Sequence, residues 1–292
     1  MSFDFQDKVV VVTGGAGDIG KAFATRASEL GAHVVVVDID EPRAIRVAEG
    51  LPRPGTPIAG DLTSRSVVED LIAALGERFG RIDVLVNNVG MTSSERFDVR
   101  SVESIEREIA VNLLSPLVLT RLAIPLLHHS TDPRVVSTVS LGGIFPLGET
   151  PIYTASKFGL RGAMLAIGLD LWDKGIKAGS VLPSAVDTRM LQEEAIEGGN
   201  SLQFQNPPQT PQDVVKAMIS ILDRPRLEAY PRPSEALLTR VTMLAPNLLP
   251  RILPLFRGKG DKGMKTYLES LERRGIVRHD GSRWDWADAR RG

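Results

Sequence analysis

The segment VVVVTGGAGDIG, residues 9–20, decides the reading of this chain. Val9–Val12 read as a strand buried on both faces, because parallel sheets covered on both sides need near-continuous apolar runs. The strand leads directly into a turn in which Gly15, Gly17 and Gly20 satisfy G-x-G-x-x-G. Glycines at that spacing permit a tight turn and close approach of backbone N–H groups to a pyrophosphate. The N-terminus of the helix that follows adds a partial positive charge. Gly14, Gly15, Gly17, Asp18 and Ile19 are therefore candidate dinucleotide contacts. Asp38 ends the next apolar run, 18 residues past Gly20, where an acid can bond the adenosine ribose hydroxyls. A 2′-phosphate would meet that carboxylate as like charge, and no Lys or Arg lies within residues 14–18 or at Ile39 to offset it. NAD is thus expected over NADP, with Arg43 the one nearby cation able to reach across.

Working outward, Val34–Val37, Val84–Val86, Val135–Val139 and Ala178–Leu182 repeat the strand pattern, with weaker strands at Pro57–Ala59 and Leu227–Tyr230. Ile19–Leu30, Ser64–Phe79, Val102–His128 and Thr154–Trp172 read as the helices between them. Repeated strand–helix–strand units predict an α/β fold: a Rossmann-type doubly wound parallel sheet of about seven strands with helices on both faces. Ligands of such sheets sit beyond the carboxyl ends of the strands. Residues 1–232 are read as the dinucleotide-binding catalytic domain, with a substrate loop at 184–211. Residues 233–292 are read as a helical extension packed on it.

Composition excludes several function classes. The net charge of −1 leaves no basic field to attract nucleic acid or anionic lipid. There is no cysteine, hence no disulfide or thiol chemistry, and His33, His128, His129 and His279 lack metal-ligand spacing, so no metal is expected. MSFDFQDK is not a signal peptide. No stretch reaches about 18 uncharged apolar residues, so no membrane span is expected. A cytoplasmic protein acting on a small molecule follows.

Asp61-Leu62 after the third strand places an acid either against the adenine amino group or at the N-cap of the helix near Ser64. With Asn87-Asn88-Val89-Gly90, Asn112, Ser140, Tyr153-x-x-x-Lys157 and the run from Pro183 to Thr188, the motifs fall in order along the chain. Over roughly residues 5–230 the chain resembles the short-chain dehydrogenase/reductase family. Ser140 stands thirteen residues before Tyr153, the spacing that family shows. The resemblance implies an NAD(P)-dependent oxidoreductase acting on CH–OH groups, assembled as a homodimer or homotetramer through the Val102–His128 and Thr154–Trp172 helices. Two positions depart from the family. Asp18 replaces a usual glycine and is expected to cap the helix starting at Ile19. Ser184 replaces the glycine that usually follows the proline, at the wall of the nicotinamide pocket. The glycine spacing also resembles the extended, sugar-nucleotide-modifying branch, which keeps open an epimerase or dehydratase that retains its NAD. A non-catalytic dinucleotide-binding protein on the same fold is the other alternative.

Tyr153 and Lys157, four apart on a helix, share one face. Hydride transfer to a ketone leaves an oxyanion that needs a proton, and the reverse reaction needs a hydroxyl proton removed. A phenol can do either, once its pKa of about 10 is lowered. A charge at about 4 Å moves a pKa by roughly 0.7 in water and roughly 3 at an effective dielectric near 20, so a partly buried Lys157, helped by the positive oxidised nicotinamide ring, is expected to lower it. By the resemblance, Lys157 also holds the nicotinamide ribose, and Asn112 lies at a helix kink that leads a proton relay to the lysine. Ser140 would donate to the substrate oxygen. Asn88, Gly90 and Pro183 are expected to face the cofactor, with Val186 and Thr188 at the carboxamide, while Asn87 ties the sheet to the loop.

Phe145, Leu147, Met190 and Leu191, with Ser140, are the candidate substrate contacts and favour an apolar secondary alcohol or ketone. Residues 189–211, rich in Gly and Pro, read as a loop-built lid. Ala236–Phe256 is Leu-rich, but Pro246, Pro250 and Pro254 argue against one continuous helix. Short helix plus irregular chain is expected there, with weak interfacial membrane contact as the sharper alternative. Met264, Tyr267, Leu268 and Leu271 form the stripe of a docking helix ending before Gly275. His279–Gly292 reads as a loose tail, anchored if at all by Trp284 and Trp286.

Overall fold

The first apolar run does form a strand, β1 (Val9–Thr13), fully buried along its length. The computed structural model describes residues 2–93 and 95–287. β1 is followed by α1 (Asp18–Glu29), β2 (His33–Asp38), α2 (Glu41–Glu49), β3 (Thr56–Ala59), α3 (Arg65–Phe79) and β4 (Val84–Asn87). Then come α4 (Val102–Ile109), a π-helical turn (Ala110–Leu114), α5 (Ser115–His128), β5 (Arg134–Thr138), α6 (Pro151–Trp172) and β6 (Lys177–Val181). α7 (Arg189–Ile196), a 3₁₀ turn (Ser201–Gln205), α8 (Pro211–Asp223) and β7 (Glu228–Ala229) complete the sheet layer. The seven strands run in the order β3-β2-β1-β4-β5-β6-β7 and all pair in parallel. The strand order reverses between β1 and β4, which opens a crevice at their carboxyl ends.

Side chains alternate between two cores because strand residues point to opposite faces. On one face Val10, Val12, Val34 and Val36 pack with Phe23 of α1 and Met218 of α8. On the other, Val11, Val35, Leu85 and Val135 pack with Leu75 of α3, Leu127 of α5 and Met164 of α6. Among the described residues, the run Val102–His128 has the length and hydropathy of a membrane-crossing helix, which the sequence reading had not expected. Its Leu119, Ala123, Leu126 and Leu127 belong to the second core, which is what a helix under a sheet requires.

Beyond β7 lie α9 (Pro233–Thr242), a 3₁₀ turn (Pro246–Leu248), α10 (Leu249–Arg273) and a hairpin of β8 (Val277–His279) and β9 (Trp284–Trp286). This corrects two expectations. α10 runs 25 residues straight through Pro254. Pro250 lies in its first turn, where no N–H is required, and Pro254 removes one ladder bond without ending the helix. The tail is ordered as the β8–β9 hairpin through Trp286. Residues 288–292 of that expected tail lie outside the described residues. The predicted docking stripe is the carboxyl half of α10: Tyr267, Leu268 and Leu271 are buried with Leu191, Ala195 and Phe204 in a third apolar cluster.

Candidate active site

A cleft of about 540 Å³ runs from the β1–α1 turn across the carboxyl ends of β4 and β5 to α7. Its floor at one end is Gly14, Gly17, Asp18, Ile19, Asp38, Asp61 and Leu62. Gly14 takes φ +58°, a left-handed conformation, and a Cβ there would lie 3.1 Å from the Val89 backbone. The Asp38 carboxylate is held by the backbone N–H groups of Ala16 (3.0 Å) and Asp40 (3.1 Å). Arg43 does reach across: Nη2 donates to the Ala16 carbonyl at 3.1 Å, and its side chain lines the cleft beside Asp38.

Several expectations are corrected. Gly15 is buried away from the cleft, its hydrogens pressed toward Val12 O and Val36, so it serves the packing of β1 on β2. Asp18 does not cap α1, whose N-cap is Gly17; its carboxylate accepts from Arg189 N at 2.7 Å and so caps α7. One acid thereby ties the glycine turn to the roof of the cleft. Asp61 does not cap α3, whose N-cap residue is Ser64. Its Oδ1 accepts from the N–H and hydroxyl of Thr63, and those bonds hold its pKa below the usual carboxylate value. Asn87 bonds Thr120 and Ser137, locking β4 to α5 and β5, whereas Asn88 reaches the loop, donating to Gly14 O at 3.3 Å and accepting from Thr138.

At the other end Ser140, Tyr153 and Lys157 face the same cleft, with Gly90, Pro183, Ser184, Val186 and Thr188 around them. Ser140 follows β5, and its Oγ accepts from Gly142 N at 2.9 Å on the side of the cleft where it acts on the Tyr153 phenol. α6 carries Tyr153 and Lys157 on one face. A Cβ on Gly143 would sit 2.7 Å from Lys157 O and 2.8 Å from Val139 Cγ1, so only glycine lets α6 press this closely on the 3₁₀ turn Leu141–Gly143. Lys157 Nζ donates to Thr138 O at 3.1 Å and lies 5.6 Å from the Tyr153 ring centre.

Among the protein's own groups, burial sets the electrostatics of this pair. Burial pushes the Tyr153 phenol up to about 12, opposed by the Ser140 hydrogen bond, and Lys157 is not what sets it. Burial pulls Lys157 down to about 8, while the Glu108 carboxylate pulls it back up. Desolvation is the largest influence on each, on Lys157 buried under the cleft and on Tyr153 half-buried in its wall.

Asn112 sits in the π turn between α4 and α5, the segment where the resemblance implies a kink. It does not line the cleft; fully buried, it exchanges two 2.8 Å bonds with the Met91 backbone and donates to Ser156 at 3.1 Å. It clamps the loop after β4 to α6. Leu147, Met190 and Leu191 line the cleft, but Phe145 does not. A bond from Phe145 N to Leu141 O curls the chain there and delivers Leu147 to the cleft two residues later.

Residues 189–196, expected as loop, form helix α7, with Thr188 as N-cap. Glu194 on α7 lines the cleft and escaped the sequence reading. It is 8% exposed, and its Oε1 accepts from Gln203 Nε2 at 2.5 Å and Asn200 N at 3.3 Å. Burial lifts it to about 7 against those two bonds. Nothing in a single Glu within an apparent loop signals such burial; only the fold of 189–205 does. Thr150, also in the wall, has a buried hydroxyl with no partner among the described residues.

The architecture is widely shared. A short-chain dehydrogenase from Burkholderia phymatum, solved with NAD, superposes with a TM-score of 0.76 over 84% of this chain and 96% of that one, at 22% identity. A 3-ketoacyl-(acyl-carrier-protein) reductase from Brucella melitensis, solved with NADH, gives 0.69 over 79% and 99%, at 24% identity. In sequence, a D-beta-hydroxybutyrate dehydrogenase of Rhizobium meliloti is 31% identical over 64% of this chain and 74% of its own length. An uncharacterized oxidoreductase of Staphylococcus epidermidis is 29% identical over 69% and 87%. The family pattern of the short chain dehydrogenases matches residues 8–197, more than half of the chain. With the parallel sheet and the ordered motifs already in place, the chain belongs to the short chain dehydrogenase family of oxidoreductases.

Proposed function

We propose that this protein moves a hydride between NAD(H) and the carbon of a secondary alcohol or ketone, with Tyr153 as the general acid/base. The observation that carries the reading is that Ser140, Tyr153 and Lys157 open onto the same cleft as the Gly14–Gly17 turn and Asp38. The cleft fits a dinucleotide on its own terms. The glycine turn leaves no side chain over the N-terminus of α1, Asp38 offers a carboxylate already fixed by two backbone donors, and Asp61 stays ionised beyond it. Gly14, Gly17, Asp18, Ile19, Asp38, Asp61, Leu62, Asn88 and Gly90 would hold the adenosine and pyrophosphate end. Pro183, Val186, Thr188 and Lys157 would hold the nicotinamide end. The bound group supplies or accepts the hydride.

The chain's own residues do the rest. Ser140 orients the substrate oxygen and stabilises charge developing on it. Tyr153 Oη passes a proton to that oxygen, or takes one from it. With its pKa raised, the phenol is protonated at neutral pH: the form present can give its proton to a nascent alkoxide, a far stronger base, whereas alcohol oxidation needs the phenol to ionise first. Lys157 offers its ammonium toward the ribose and the phenol, and Asn112 holds the loop and α6 at a fixed separation. Leu147, Met190 and Leu191 enclose the carbon frame of the substrate. Exposed Val102, Leu114, Val118, Phe158 and Leu169 on α4–α6 form the apolar face by which two copies would pair.

The test is an NADH-absorbance screen over alcohols and ketones with wild type and Tyr153→Phe side by side. Tyr153→Phe should lose about 10²- to 10⁴-fold in turnover while dinucleotide affinity, read by fluorescence, stays within a few-fold. Near-normal turnover removes Tyr153 from the chemistry. Steady-state kinetics with NAD and NADP separate the cofactors. Asp38→Ala should erode the preference for NAD, and an enzyme faster with NADP would show that Arg43 rather than Asp38 decides.

A further inference from the structure

Seven large apolar side chains stand in solvent within twenty residues: Leu237, Leu238, Val241, Leu244, Leu248, Leu255 and Phe256, exposed from 44% (Leu248) to 84% (Leu244). On α9, Leu237 and Val241 are four apart and Leu238 adjoins them, so they form one outward face while Ala236 faces the body, and Leu244 in the turn just after the helix is exposed too. On α10 the inward row is Leu249, Gly260, Tyr267, Leu268 and Leu271, which leaves Arg251, Leu255 and Lys259 on the outer ridge. Monomeric surfaces seldom keep so many large apolar groups together without a partner.

The charge around the patch identifies that partner. Residues 236–260 contain Arg240, Arg251, Arg257 and Lys259 and no acidic residue, in a chain whose net charge is −1. Arg240 is tied to Glu228. Arg251, Arg257 and Lys259 make no ion pair among the described residues and remain free to meet an anion. Two copies meeting isologously through this patch would set those cations against their own images. An anionic bilayer meets both requirements at once, because its headgroups attract the cations and its acyl boundary takes the leucines. α9 spans only ten residues, and α10 carries Arg251, Arg257 and Lys259 among its leucines, which suits lying in an interface and not crossing it.

We infer that α9 and the amino-terminal half of α10 form a docking surface for an anionic membrane. The bilayer then lies beside the roof of the cleft. Gln205 of the 3₁₀ turn donates to Phe256 O at 2.9 Å, and that turn also carries Gln203, the partner of Glu194. Docking is independent of the proposed chemistry, and its test uses no substrate.

The full chain is sedimented with vesicles of phosphatidylcholine alone and of phosphatidylcholine with phosphatidylglycerol, at low and high salt. Expected is pelleting with the anionic vesicles, falling several-fold at high salt, and little with the neutral ones. Each cation near the surface contributes roughly a fivefold factor in partition, so Lys259→Glu should weaken binding by about that much or more. Leu244→Glu with Leu255→Glu should abolish it. Both residues are so exposed that circular dichroism and the melting temperature should not change. Failure to pellet with anionic vesicles overturns the proposal. So does pelleting that the leucine variants leave intact. An oligomer mass by light scattering that falls in those variants, without vesicle binding, overturns it in favour of a contact between copies.

Discussion

Two phenols show how differently the two parts of this molecule are built. Tyr153 on α6 and Tyr267 on α10 are both pushed above their ordinary pKa by burial. Tyr267 donates to Asp187 Oδ1 at 2.6 Å, inside a closed network with Gln192 and Arg274. Its hydroxyl is committed to structure. Tyr153 has the Ser140 hydroxyl beside it and otherwise faces the cleft. Buried phenols alike in chemistry thus differ in what is left for them to do. The cleft leaves a polar group unspent where the Tyr267–Asp187 network closes on itself. The same contrast appears in the carboxylates: Asp187 is saturated by three donors, while Glu194 in the cleft is bonded through Oε1 only, among the described residues.

The strongest way to break the contrast is to spoil the close approach that presents Tyr153. Gly143→Ala puts a methyl within 3 Å of Lys157 O and Val139 Cγ1, both of which are fixed by the helix and the sheet. α6 must shift by several tenths of an ångström. Misplacement of that order near the reacting atoms costs up to about 10²-fold in kcat, and overpacking costs about 1–3 kcal/mol of stability. Turnover should therefore fall far more than the melting temperature suggests. A variant that melts several degrees lower but turns over normally would show that the 3₁₀ turn only supports the fold.

This position also marks how far the sequence was legible. The sheet and its parallel order were readable because Val-rich strands alternate with helices and the motifs fall at strand ends. The placement of Ser140, Tyr153 and Lys157 in one cleft follows from the same regularity. What the sequence hid depends on contacts between distant segments. Asp18 looks like a cap for its own helix, yet it caps α7, 171 residues away. Residues 189–196 look like loop, because Gly198, Gly199 and the prolines that follow obscure a helix held by Thr188 and by packing on α10. Pro254 looks like a helix stop, yet the turns around it are fixed through Gly260 and Tyr267 against the 3₁₀ turn below. Lys157 looks like the group that lowers the phenol, but the depth of burial that decides the balance is not written in the motif.

A smaller effect is expected from the extension. Burial pushes the Asp187 carboxyl up, but bonds from Tyr267, Gln192 and Arg274 outweigh it and hold the pKa below the ordinary value. A depressed carboxylate stabilises the folded state above its unfolded pKa of about 3.9, and that contribution is lost as pH falls through the folded value. Asp187→Asn should lower stability by about 1–3 kcal/mol at neutral pH and bring the variant and wild type together in strong acid. Limited proteolysis should cut α10 first in the variant. Dinucleotide binding near Gly14 should hardly change. A variant as stable as wild type at pH 7 would mean that apolar packing of Leu268 and Leu271 alone holds α10.

The smallest effect is also the most specific, because it is absent at low pH and opposite in sign for the two reaction directions above pH 7. Glu194 titrates near pH 7, and as a carboxylate it raises the Tyr153 phenol further. Glu194→Gln keeps the shape and the capacity to hydrogen-bond but removes that charge. Below about pH 6 the wild-type carboxyl is already protonated, so the two enzymes should behave alike. Above pH 7 the wild type carries the charge and the variant does not, so the phenol of the variant ionises more easily. Alcohol oxidation, which needs the phenolate, should gain rate at lower pH in the variant, by on the order of half a pH unit. Ketone reduction, which needs the phenolic proton, should fade earlier on the alkaline side by the same amount. Parallel profiles displaced equally at every pH would show that Glu194 acts through the position of α7 and not through its charge. In that case the unspent carboxylate of the cleft would be as structural as the saturated one beneath α10.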